Sequence, residues 1–244
     1  MDATDTRISK LTDFSKICLS TLETAGLSLA LLKPLLEDRE LRAKHIQADA
    51  FIAHQHLANI LFGSFLTEVF SISEGVGRQN QQASLFTVRD AIETEVAIIQ
   101  RLEALWGDSL ITQWDDSDGL LDETTLARLR QRDVTRGRAY FSQLRQSIIE
   151  DHDELVQSKL YLDCKGARDK ILAHKDTWKC NQSNTYQPEW FDRFGLNYSH
   201  AWSLHGRLVK SCKSCHLLLT RSNYILEPLD DQSQGIARRF WTHE

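Results

Sequence analysis

The chain has 244 residues, 41% of them hydrophobic and 26% charged, with a net charge of −5. That length is enough for a real hydrophobic core in one large domain, and the composition is that of an ordinary globular protein. The acidic balance argues against a general polyanion binder, whose whole domain would be basic, while leaving room for a local basic site.

Only 11 glycines and 3 prolines interrupt the chain, so breakers are scarce and long helices are favoured. Apolar residues at helical spacing predict a first helix over about 5–32, through Ile8, Leu11, Phe14, Ile17 and Leu22. Pro34 marks a restart, a residue suited to the first turn of a second helix over about 34–73. "EGVGRQNQQAS", residues 74–84, reads as a loop. A third helix follows over about 85–106, then a second loop, "WGDSLITQWDDSDG".

Residues 122–178 are helical in pattern, and Gly137 and Gly166 weaken the segment, so two or three helices are expected rather than one. A polar stretch, "KCNQSNTYQPEW", precedes a last helix over about 197–221 and an unassigned tail at 226–244. The expected architecture is a single all-α domain, a bundle of long antiparallel helices. Residues 1–110 supply helices without a nameable motif, and residues 120–225 carry the motifs.

No run approaches the roughly 18 apolar residues of a membrane span. The N-terminus, "MDATDTRISK", lacks a basic segment followed by an apolar one, so no secretory signal is read there. The expectation is a cytoplasmic protein that does not engage a membrane. Its five cysteines are an odd number, and reduced thiols are the default.

"CKSCH", residues 212–216, matches the Cys-x-x-Cys-His pattern of c-type haem attachment, which needs export. A zinc site would draw on Cys212, Cys215 and His216 with Cys180 or His205, but a lone Cys-x-x-Cys gives only two of four tetrahedral ligands. The simpler reading puts Cys212 and Cys215 in line with Leu204, Leu208 and Leu219 on a buried helix face, as small hydrophobes. No metal or cofactor is expected. His54 and His56 are two apart and point to different faces of a helix.

The stretch "CKGARDKILAHKD", residues 164–176, carries the sharper signal. On a helix, Leu160, Cys164, Ala167, Ile171 and Trp178 form an apolar stripe, with Arg168 on one shoulder and His174 on the other. At about 100° per residue these two lie about 120° apart, so one helix does not readily bring both to one atom. Two copies packed across a two-fold axis can, the Arg of each approaching the His of the other. Such a pair suits RNA cleavage without metal: His takes the 2′-OH proton near neutral pH, and Arg holds the phosphate oxygens with a bidentate fork. The bland alternative is a solvated face of local ion pairs.

The bare spacing is unspecific, since it also occurs at Arg39/His45, Arg145/His152, Arg193/His200 and Arg238/His243. The context of "RDKILAHKD" is more telling. It resembles the signature of the HEPN superfamily: Arg, a polar residue, a short spacer, then His, with Asp169 at the polar position. The fuller pattern of Arg168, Lys170, Ala173 and His174 resembles the branch associated with abortive-infection systems of the U type.

The resemblance implies an all-α bundle that dimerises through the motif helix. It also implies a metal-independent endoribonuclease leaving 2′,3′-cyclic phosphate ends, in a toxin–antitoxin or phage-defence setting with an antitoxin or defence-system partner. His174 would be general acid or base, Arg168 the phosphate stabiliser, Asp169 the residue that orients Arg168 or a backbone end of the motif helix, and Lys170 a substrate-binding charge. One departure is Asp176, where some HEPN toxins carry a Tyr that a partner enzyme modifies. Other members bind RNA or proteins without cutting, so a non-catalytic helical module is the competing expectation.

A second feature bears on RNA. "RLRQRDVTRGR" places Arg128, Arg130, Arg132, Arg136 and Arg138 against a single Asp. This row can follow a phosphate backbone, with Tyr140 and Phe141 behind it as base-stacking or core residues. Pairing with nearby acids, such as Asp122, Glu123 and Asp133, is the alternative.

Overall fold

The computed structural model describes residues 2–38, 40, 43, 51–74, 83–108, 122–173, 195–224 and 239. Among these it contains seven α-helices and no strand. They are α1 (Ala3–Glu37), α2 (Phe51–Ser73), α3 (Leu85–Thr94), α4 (Val96–Gly107), α5 (Glu123–Gln157), α6 (Lys159–Ala173) and α7 (Tyr198–Thr220). The fold is an all-α helical bundle.

α1 is the central stave and packs along both α2 and α7. Leu11, Leu19, Leu22 and Leu29 of α1 meet Phe62, Phe65, Leu66 and Phe70 of α2 and Leu204 and Leu208 of α7, all essentially without exposure. The buried cluster is continuous through all seven helices. By length and composition α1 is apolar enough to cross a membrane, but more than half of that stretch is buried inside the bundle. Its apolarity is accounted for by two packing partners on different sides.

Three boundaries differ from those read in the sequence. Pro34 does not restart a helix; it lies in the last turn of α1, which ends when the Asp38 amide donates to the Pro34 carbonyl at 2.9 Å. With one turn left, the hydrogen bond that proline removes costs little while Leu29, Ala30 and Leu32 stay buried. The expected 85–106 helix is broken at Glu95, which leaves helical geometry with its amide on the Ala91 carbonyl and its carboxylate on Arg7 at 2.7 Å. The long segment breaks at Ser158, not at Gly137 or Gly166. The Ser158 hydroxyl donates to the Leu155 carbonyl at 2.6 Å and accepts the Tyr161 amide at 3.2 Å, serving the end of α5 and the start of α6 together.

Gly137 has another role. A Cβ there would lie 2.0 Å from the Trp106 carbonyl oxygen, so its bare backbone is what lets α4 approach α5. Arginines close the short helices. Arg145 donates to the carbonyls of Ile92 (2.6 Å) and Glu93 (3.1 Å) at the end of α3. Arg221, in left-handed geometry after α7 (φ 58°), donates to Leu105 at 2.6 Å at the end of α4. At the start of α7, Asn197 and His200 form a reciprocal capping box.

Candidate functional site

α6 presents Tyr161, Cys164 and Ala167 to the core; of the stripe read from the sequence, Cys164 and Ala167 are buried, Leu160 is half-buried, and the Ile171 side chain and Trp178 lie outside the described atoms. Arg168 follows at the edge of that stripe, where α6 crosses the end of α2. Its guanidinium lies over the Phe70 ring, 4.8 Å from the centroid. Nη1 donates to Glu74 Oε2 at 2.5 Å, and Nε and Nη2 donate to Asp169 Oδ1 at 2.9 and 2.5 Å. Lys165, one turn earlier, reaches Glu74 Oε1 at 2.9 Å. Two cations and two carboxylates therefore cancel locally.

The Arg168 side chain keeps only 15% of its exposure and that of Glu74 19%. That shielding makes these contacts stronger than surface ion pairs. Burial alone would raise the pKa of Glu74, but the hydrogen bonds from Arg168 and Lys165 outweigh it and hold the carboxyl below its usual range. Burial alone would lower the pKa of Arg168, but the bonds to Glu74 and Asp169 hold it above its ordinary value.

Of the expected catalytic set, Arg168 and Asp169 are in direct contact. The Lys170 backbone lies in α6, its side chain is outside the described atoms, and His174 lies outside the described residues. The looser pair Arg145/His152 serves the fold: Arg145 closes α3, and His152 is 4% exposed beside Asp153. Glu74, Phe70 and Lys165 were not picked out by sequence reasoning. Glu74 opens a stretch with every mark of a loop, and its partner is 94 residues away.

The five arginines of α5 are all exposed. Arg128, Arg132 and Arg136 are spaced by four and fall within about 80° of arc. Arg130 and Arg138 lie on the other side, Arg138 resting against Gly107. The aromatic pair behind them divides: Phe141 is core, while Tyr140 is 46% exposed, its ring 5.4 Å from that of Trp106.

The "CKSCH" segment lies on the inner face of α7. Cys212 and Cys215 are each 1% exposed, as is Cys18 of α1. Burial drives the Cys215 thiol up, and the neighbouring Cys18 together with burial does the same for Cys212. His216 Nδ1 lies 2.9 Å from the Ser15 hydroxyl, and His205 Nε2 lies 2.8 Å from the Leu22 carbonyl. This is the core-packing arrangement. Cys180 lies outside the described residues. No group of three or more metal-binding side chains occurs among the described residues.

Comparisons of the chain with protein families, curated proteins and solved structures returned no match.

Proposed function

We propose that the chain is a cytoplasmic, homodimeric, HEPN-like endoribonuclease that needs no metal and acts with an antitoxin or defence-system partner. The observation that supports this is the contact between Asp169 and two nitrogens of Arg168, which fixes the guanidinium plane as an orienting residue must. In the reaction, His174 takes the 2′-OH proton of the substrate. The 2′-oxygen bonds to phosphorus, the P–O5′ bond breaks, and the 5′-oxygen leaves with a proton. Arg168 stabilises the charge that builds on the phosphoryl oxygens. The products are a 2′,3′-cyclic phosphate and a 5′-hydroxyl.

A second reading, a non-catalytic RNA- or protein-binding module, is favoured by one observation: Glu74 and Asp169 already neutralise Arg168. Incubation of RNA with purified protein in excess chelator separates the two. Nuclease action predicts cyclic-phosphate ends from the wild type and none from folded Arg168→Lys and His174→Ala variants. No cleavage by an intact wild type, or equal cleavage by the variants, sinks the catalytic reading.

A further inference from the structure

A cleft of about 580 Å³ lies between the end of α2, α3, the last turns of α5, and α6. It is lined by Ser73, Phe86, His152, Tyr161, Leu162 and Lys165, among others. Its size is in the range that holds a small ring system.

The lips are apolar and wet. Phe86 is 41% exposed and Leu162 53%. Behind them the Phe86 and His152 rings lie 6.2 Å apart, tilted by 55°. The Tyr161 hydroxyl is held by Ser73 at 3.2 Å. On the rim every cation faces a carboxylate, Lys165 with Glu74 and Arg89 with Asp153. The cleft therefore favours neither a free anion nor a free cation.

His152 sets the polarity of the wall. It is 4% exposed, and its Nδ1 lies 3.4 Å from Asp153 Oδ1. Burial lowers its pKa, so the ring is neutral at pH 7. A neutral ring that donates Nδ1–H to Asp153 carries a lone pair on Nε2. That Nε2 is buried and has no hydrogen-bond partner. The other two histidines buried among the described residues, His205 and His216, each have one. A buried acceptor left unmatched is costly, and a small turn of the His152 ring toward the cleft that the residue lines would let a ligand match it.

We propose that this cleft binds a nucleobase, its ring against Phe86 and one of its N–H groups donating to His152 Nε2. The chemistry is that of a flat ring, uncharged, apolar on its faces and carrying a donor on its edge. The base can come from a free nucleoside or from an unpaired residue of RNA. Lys165, paired with Glu74, stands at the rim of the cleft, where a ribose would follow. The site does not depend on the cleavage reading, because its test is binding.

The full-length protein is titrated with adenosine, guanosine, cytidine, uridine and a mixed-sequence single-stranded RNA oligonucleotide, followed by ligand-observed NMR. At least one ligand should bind. Phe86→Ala, at an exposed position that leaves the core intact, should weaken it by about tenfold, the scale of removing one base–aromatic stack. His152→Phe should weaken it likewise, while His152→Gln, which retains an acceptor near Nε2, should recover part of the affinity. Binding of nucleosides identifies a free metabolite as the source, and binding of the oligonucleotide alone identifies RNA; both support the site. No binding by the folded wild type, or binding that Phe86→Ala leaves unchanged, overturns it.

Discussion

Glu74 and Arg168 stand 94 residues apart in the chain and meet at 2.5 Å, tying the end of α2 to α6 over the Phe70 ring. Removing the carboxylate leaves Arg168 and Lys165 half-shielded with one acceptor fewer. Glu74→Gln should destabilise the fold by about 2 kcal/mol, the scale of a hydrogen bond to a charged group. The pH dependence follows from the lowered carboxyl. A depressed folded pKa means that the stabilisation is fully present above the ordinary Glu value of 4.5 and is lost as pH falls through the folded value. Urea midpoints for wild type and Glu74→Gln should therefore converge below that point. A constant gap down to strongly acid pH would contradict the ion pair.

The buried histidines act in a different window. His152, His205 and His216 all have lowered pKa values, chiefly through burial. In the unfolded chain they take up protons near pH 6.5, whereas in the fold they do so only at lower pH. Stability should be level above that pH and decline as pH falls below it, before most carboxylates titrate. Thermal midpoints measured between pH 7.5 and 5.5 (about one unit either side of the ordinary value) check this. A flat profile would mean that these rings are wet.

Gly137 makes a prediction against its usual sign. In a free helix, Gly→Ala stabilises by about 0.5–1 kcal/mol. Here the added methyl would fall 2.0 Å from the Trp106 carbonyl oxygen, a backbone atom that a rotamer change cannot clear. Gly137→Ala should therefore cost about 1–3 kcal/mol, the range of overpacked cores. Chemical denaturation followed by Trp fluorescence reads it, since Trp106 is bonded through Nε1 to the Leu218 carbonyl at 2.8 Å.

Gly137 also shows where the sequence was legible and where it was not. A lone Gly in a helical pattern reads as a weak point; only the neighbouring helix reveals that it is a point of close approach. The break instead fell at Ser158, whose capping role depends on a hydroxyl serving both sides and on nothing periodic. The bundle itself was plain, because α-helical periodicity is local. So was the core face of α7, where Leu204, Leu208, Cys212, Cys215 and Leu219 repeat at helical spacing. Arg168 and Asp169 drew notice through the resemblance of their stretch to a known motif, and being adjacent on one helix they lie in contact. Glu74, Phe70 and the His152 cleft stayed hidden because they join elements distant in the chain, which no local pattern encodes.

The cysteines give a chemical test of that core. Burial pushes the Cys164 thiol up to about 12. Cys212 and Cys215 are displaced upward as well, and with Cys18 all four are buried. Thiolate is the reactive form, so burial and scarcity of thiolate act together. Iodoacetamide at pH 8 should leave Cys18, Cys164, Cys212 and Cys215 unmodified in the native protein and label all four in denaturant, as read by peptide mass spectrometry. Rapid native labelling of Cys212 or Cys215 would place the "CKSCH" face outside the core.

The arginine row of α5 separates stability from binding. Arg128, Arg132 and Arg136 are all exposed and share one face of α5. Like charges four apart on a helix repel by about 0.2–0.5 kcal/mol per pair. Replacing all three by Gln should therefore leave the fold as stable or slightly more so. If the row follows a phosphate backbone, the same variant should bind single-stranded RNA more weakly. Its log affinity should also fall less steeply with log salt, by about 0.7 for each phosphate that is no longer neutralised. Unchanged affinity and salt slope would make the row a solvated face, and RNA binding would then have to come from the Arg168 end of the bundle.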